Sequence, residues 1–151
     1  MRRIEVKAEA TSRADPARVY ALLKDGSTWP QWTLFDSHEL ERPGDEEPLG
    51  VGSIRVFRTS YSVSHEKVVE LRPGRRLSYE LTGGLPLVDY HADVDLEPLA
   101  DGGTRILWRS QFQPQHFGTG WFWKWMMNRT VRQVSQNLAD GAANPTIAPQ
   151  S

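Results

Sequence analysis

The chain has 151 residues, a formal net charge of −1 and no cysteine. That length fits one domain able to bury a core without metal or disulfide staples. The balanced charge leaves no electrostatic footprint for nucleic acid, and the lack of cysteine excludes a disulfide framework, thiol catalysis and thiolate metal sites. No apolar run follows Arg2 and Arg3, and no stretch approaches the ~18 apolar residues of a membrane span, so neither a signal peptide nor a transmembrane segment is expected and a soluble, cytoplasmic protein is.

Ile4, Val6, Ala8 and Ala10 alternate with Glu5, Lys7 and Glu9, the period-two pattern of a half-buried strand. Asp15-Pro16 opens a helix with Asp15 as N-cap; Val19, Leu22 and Leu23 form its buried side, and Asp25-Gly26 stops it. A second short helix runs from Ser27 or Thr28 through Trp29-Pro30-Gln31-Trp32, where two tryptophans three apart share a face and clasp one end of the domain. Strands and turns then follow. Leu34–Glu41, Ser53–Thr59 and Tyr61–Leu71 read as strands, with a solvated acidic loop around Asp45-Glu46-Glu47 between the first two. Arg72-Pro73-Gly74-Arg75 has proline and glycine where a type II turn needs them. Leu77, Tyr79 and Leu81 alternate, as do Tyr90, Ala92, Val94 and Leu96, and Asp101-Gly102-Gly103 closes a hairpin into Ile106, Trp108, Ser110 and Phe112. Short turns between successive strands imply a strongly curved antiparallel sheet with one apolar concave face.

The last long segment, Thr119 to Asp140, predicts an α-helix of about six turns. Trp123, Met127, Val131, Val134 and Leu138 fall on one stripe, Thr119 stands where a cap belongs, and Gly141 stands where a left-handed residue ends a helix. Trp121, Phe122 and Trp125 lie outside that stripe as an aromatic collar. One core stripe with a collar at its start points to a sheet gripping a helix, with a space between them. The domain is expected over residues 1–141, followed by a mobile tail over 142–151.

This order, and several local phrases, resemble the START/Bet v 1-like (SRPBCC) superfamily, most closely its polyketide cyclase/dehydrase and lipid-transport branch. The phrases are Asp15-Pro16-Ala17-Arg18-Val19-Tyr20-Ala21-Leu22-Leu23, Trp29-Pro30-Gln31-Trp32, Val51-Gly52-Ser53, Val68-Val69-Glu70-Leu71-Arg72-Pro73-Gly74-Arg75-Arg76-Leu77 and Gly103-Thr104-Arg105-Ile106 with Trp108. The resemblance spans Ile4 to Leu138. It implies an α+β helix-grip fold: a curved antiparallel sheet of about seven strands around a long C-terminal helix, with two short helices after the first strand. It is specific for fold and carries no catalytic signature, because one scaffold hosts lipid carriers, hormone receptors, aromatase/cyclases and co-chaperones.

Strand parity selects the inward residues. Tyr79, Tyr90, Trp108, Phe112, Trp123, Met127 and Val131, with Trp32 at the clasp, are the candidate lining of a cavity for a hydrophobic small molecule such as a lipid, polyketide, isoprenoid or steroid-like compound. His65 shares phase with Tyr61, Val63, Val69 and Leu71, which makes His65, Tyr61 and Tyr79 the candidate acid–base groups if the protein is a cyclase/aromatase or dehydratase instead of a carrier. A bulge in that strand would turn His65 to solvent. Arg55 or Arg58 is a candidate carboxylate anchor; Ile54 and Val56 argue for one parity of their strand and Phe57 for the other. Asp89, His91, Asp93 and Asp95 alternate on one strand face, but neighbours in that row stand about 7 Å apart, so ion pairing with Arg105 and Arg109 is the simpler account and neither a metal nor a cofactor is expected. The collar of Trp121, Phe122 and Trp125 either packs under the Trp29–Trp32 segment, forms the ligand's portal, or touches a membrane or a second subunit, and an interaction module without a ligand is the third functional class.

Overall fold

In the computed structural model, which describes residues 3–149, Ile4–Ser12 form strand β1, with Val6, Ala10 and Ser12 buried. Helix α1 (Pro16–Lys24) begins as its sequence dictates: Pro16 takes the first helical turn and Asp15 Oδ1 accepts from the Arg18 amide at 2.8 Å. Asp25 ends α1 and caps a short 3₁₀ helix, Gly26–Gln31. Six strands follow: β2 (Ser37–Arg42), β3 (Ile54–Arg58), β4 (Val63–Arg72), β5 (Arg76–Gly83), β6 (Leu87–Pro98) and β7 (Thr104–Pro114). Helix α2 spans Gly120–Ala142. The sheet runs β1-β7-β6-β5-β4-β3-β2, every neighbouring pair antiparallel. The Arg72–Arg75 turn closes through Arg75 N–H to Arg72 C=O at 2.8 Å, with Gly74 at φ 71°.

The sheet curves around α2, which lies against β1 and β7 and buries Met127, Val131 and Leu138. Ser12 Oγ ties β1 to the helix by donating to Ala139 C=O at 2.7 Å. This is the helix-grip architecture. Its inner face follows from the register. Ala8 stands opposite Trp108 and Val6 opposite Ser110, Trp108 opposite Val94, Leu77 opposite Val94, and Tyr79 opposite both Ala92 and Val68.

Four local expectations are corrected. β2 starts at Ser37, because Thr33 and Phe35 are held in a turn: the Thr33 amide and hydroxyl reach Trp29 C=O, and the Phe35 amide reaches Thr33 Oγ1. Thr119 does not cap α2 through its side chain; its hydroxyl donates back to His116 C=O at 2.6 Å. Gly141 lies inside the helix rather than past its end. A Cβ there would stand 2.8 Å from Cβ of Trp32, so the glycine lets the tryptophan pack flush on the helix. The segment expected as a mobile tail from Ala142 is anchored in its described part: Ala142 is helical, Ile147 is buried, and the Arg18 guanidinium donates to the carbonyls of Ala142, Asn144 and Ile147. Gln150 and Ser151, with Met1 and Arg2, lie outside the described residues.

Candidate functional site

The inner face carries an aromatic cluster. Tyr79, Tyr90, Trp108 and Phe112 are all buried, with ring centroids 6.1 Å apart for Tyr79–Tyr90, 6.3 Å for Tyr79–Trp108 and 5.9 Å for Tyr90–Phe112. Their polar ends face one another. The Tyr90 hydroxyl and Ser110 Oγ are 2.8 Å apart, while the buried Trp108 indole N–H, near the Tyr79 hydroxyl, meets no partner in full hydrogen-bond geometry among the described residues. Burial raises the Tyr79 hydroxyl well above the ordinary tyrosine range, and raises Tyr90 to about 12, so both are neutral donors at physiological pH.

Next to these rings is a buried ion pair. Arg55 Nη2 reaches Glu66 Oε1 at 3.2 Å, with the side chains 1% and 6% exposed. Arg55 also donates to Leu23 C=O at 2.8 Å, and its guanidinium lies 4.6 Å from the Trp29 ring and 5.3 Å from that of Phe57. Desolvation pushes the Glu66 pKa up against the pull of Arg55. Two chemistries are therefore open to this corner: a fixed cation-rich anchor for a polar group, or a carboxyl held partly protonated. The ambiguous parity of β3 is settled, with Arg55 and Phe57 inward and Arg58 outward in a surface pair with Glu39.

His65 and Tyr61, two of the three acid–base candidates, are corrected. His65 points outward and pairs through Nδ1 with Glu41 at 2.9 Å; Tyr61, 96% exposed, sits in the Thr59–Ser62 turn. The reason is a register shift between Val68 and Glu70. Leu71 is inward, but on the far side of that bulge the inward phase belongs to Val68, Glu66 and Ser64. Glu66 was thus missed, and the adjacent apolar pair Val68-Val69 is the only signal of the slip. His38 was also missed. It faces Phe57 at 5.4 Å from β2, and burial followed by the Arg55 charge lowers its pKa, which keeps it neutral.

The other lining candidates divide. Met127 and Val131 are buried on α2, and Trp123 is partly buried against the core. Trp32 instead packs at the far end, 4.9 Å from Trp29 and against Gly141. The collar does not lie under it. Trp121 and Trp125 are 75% and 55% exposed at the start of α2, beside the less open Phe122, whereas Trp32 meets the end of that helix. The acidic row on β6 is engaged in side-chain pairs: Asp95 with Arg76 and Arg109, Asp93 with Ser78 and His91. Arg105 pairs with Glu9 and Glu97. The larger clefts open on the outer surface; one of about 690 Å³ is lined by Lys7, Glu9, Arg105 and Arg109.

A curved seven-stranded sheet closed on a long helix, with an aromatic inner face, is the fold of the START/Bet v 1-like proteins. More narrowly, residues 3–143 match the family described as polyketide cyclase / dehydrase and lipid transport, and the chain belongs to that family. Among solved structures it is similar to a START superfamily protein from Mycobacterium smegmatis, with TM-score 0.76 and 15% identity over 90% of this chain and 94% of the other. It is also similar to Ara h 8.0201 (TM-score 0.73, 19% identity, 93% and 98% covered) and to a protein from Thermobifida fusca (0.71, 20%, 92% and 89%). At these identities the likeness is one of fold. No curated protein matches the sequence.

Proposed function

We propose that the protein binds a mostly apolar small molecule against the inner face of the sheet, with the ligand's polar end directed at Arg55, Glu66 and the Tyr79 hydroxyl. The observation that carries this reading is the Arg55–Glu66 pair beside the aromatic cluster. Buried ion pairs of this kind commonly add no net stability over an apolar replacement, and a buried polar group of Tyr79, Tyr90 and Ser110 gains little over an all-apolar core even where its hydroxyls meet one another. A core that only had to be filled has no need of them. Entry is at the start of α2, where Trp123 is only partly buried and the Trp121–Trp125 collar borders the way in.

Titration with a fluorescent fatty acid tests the reading. Saturable binding of one probe per chain is expected, weakened about tenfold by Tyr79→Phe, the size of a lost hydrogen bond in a desolvated site. Unsaturable binding, or binding indifferent to Tyr79→Phe and Glu66→Gln, contradicts it.

The raised Glu66 pKa favours a second reading, cyclase or dehydratase chemistry in which Glu66 supplies a proton and Tyr79 orients a carbonyl. It takes the place of a mechanism through His65 and Tyr61. Under it, Glu66→Gln abolishes turnover of a polyketide-like substrate and leaves its binding intact.

A further inference from the structure

The stripe of α2 that faces away from the sheet has its own composition. Trp121, Trp125, Arg129 and Arg132 follow one another at spacings of four, four and three, which places them on one side of the helix, opposite the buried Met127, Val131 and Leu138. Phe122 flanks the stripe, and Phe117, in the loop before α2, is 94% exposed. The rings touch one another, Trp121–Phe122 at 6.1 Å and Phe122–Trp125 at 6.4 Å, and the Arg129 guanidinium lies 5.9 Å from the Trp125 ring. Together the four aromatics present on the order of 500 Å², at the upper end of the roughly 300–600 Å² found for the largest apolar patch on a monomer. Along the helix itself the charge has one sign up to Asp140. No aspartate or glutamate occurs from Gly102 to Ala139, while Lys124, Arg129 and Arg132 are all exposed on α2.

We propose that this face docks on the surface of a bilayer carrying anionic headgroups. Tryptophan suits the boundary between headgroup and acyl chain, because its ring is apolar and its N–H is not. Arginine and lysine lay their stems along the same apolar layer and carry their charge to the phosphates. Among the described residues no helix is long and apolar enough to cross a membrane, so the contact is one of lying on the surface. A second copy of the chain fits this face poorly. In a two-fold pairing the same stripe faces itself, and it holds no carboxylate with which a copy's Arg129 or Arg132 could pair. The surface requires nothing of the interior site, and it holds whether or not the protein carries a ligand.

Co-sedimentation of the full chain with vesicles tests it, using phosphatidylcholine alone and phosphatidylcholine mixed with phosphatidylserine. With about a fivefold gain per cation near an anionic surface, partition into the mixed vesicles should exceed that into the neutral ones by at least about tenfold. Trp121→Ser with Trp125→Ser should lower partition into both kinds. Arg129→Gln with Arg132→Gln should cut the preference for phosphatidylserine to about the fivefold that Lys124 alone supplies while leaving neutral partition in place. Tyr79→Phe, in the interior, should change none of these. All four positions on the stripe are exposed, and an unchanged thermal midpoint confirms that the variants fold. Equal partition into the two vesicle types, or partition indifferent to the tryptophan pair, overturns the proposal. So does a concentration-dependent dimer in sedimentation that Trp121→Ser dissolves, which would assign the face to a second copy.

Discussion

Two sets of aromatic residues share this molecule and meet opposite fates. Tyr79, Tyr90, Trp108 and Phe112 line the inside of the sheet, ring against ring, beside a buried Arg55–Glu66 pair. Phe117, Trp121, Phe122 and Trp125 stand outside at the start of α2, the last three ring against ring, with Arg129 over Trp125. The residue types are nearly the same. The difference lies in what each set's helix or strand has already satisfied: α2 meets its core obligation with Met127, Val131 and Leu138, so its other stripe is free, whereas the strands have only one inward face. An aromatic on a spare face implies a partner outside; an aromatic among buried polar groups implies one inside.

The largest effect expected from breaking this contrast is on the inner set. Trp108→Ala should cost about 3–5 kcal/mol, read as a fall in the urea midpoint. Arg55→Met should be nearly as damaging, about 3–5 kcal/mol, because it strands the Glu66 carboxylate in the interior. The double replacement Arg55→Met with Glu66→Leu should recover most of that loss. Failure to recover would show that Arg55 acts through its bonds to Leu23 and its stacking on Trp29 instead of through Glu66.

A smaller effect sharpens the polar side of the comparison. The pKa of Glu66 is raised on folding, chiefly by burial. Above the ordinary carboxylate value of 4.5 the native state is therefore more protonated at Glu66 than the unfolded chain. Stability falls as pH rises from that value through the folded one, by at most about 1.4 kcal/mol per pH unit. Unfolding measured near about pH 5 and about pH 7 should show this slope in the native protein and a flatter one in Glu66→Gln. The smallest effect belongs to the outer set: Trp125→Ser should move stability by no more than about 0.5 kcal/mol, whatever it does to vesicle binding.

Much of the fold was legible because local signals agreed with it. The alternation of β1, the Asp15-Pro16 start of α1, the Gly74 turn and the α2 stripe each point the same way as the final architecture. So did the inward phase of Tyr79 and Trp108, which fall where β5 to β7 keep their register, while Tyr90 and Phe112 are buried although β6 shifts against β7 between Val88 and His91. The polar half of the candidate site was not legible. A strand's parity is binary, and the slip between Val68 and Glu70, one of two register shifts of β4 against β5, exchanges His65 for Glu66 on the inner face. Nor does helical periodicity say how a helix ends: Gly141 has the residue type of a stop, and only the approach of Trp32 shows that it is a contact.

Native mass spectrometry of the full chain, incubated with a total lipid extract and compared with the Trp121→Ser, Trp125→Ser variant, tests the central claim most directly. The account predicts one added mass per chain, released on denaturation, still present in that surface variant and diminished in Tyr79→Phe. A chain that stays at its own mass, or an added mass lost with the two tryptophans and indifferent to Tyr79, would contradict an interior ligand.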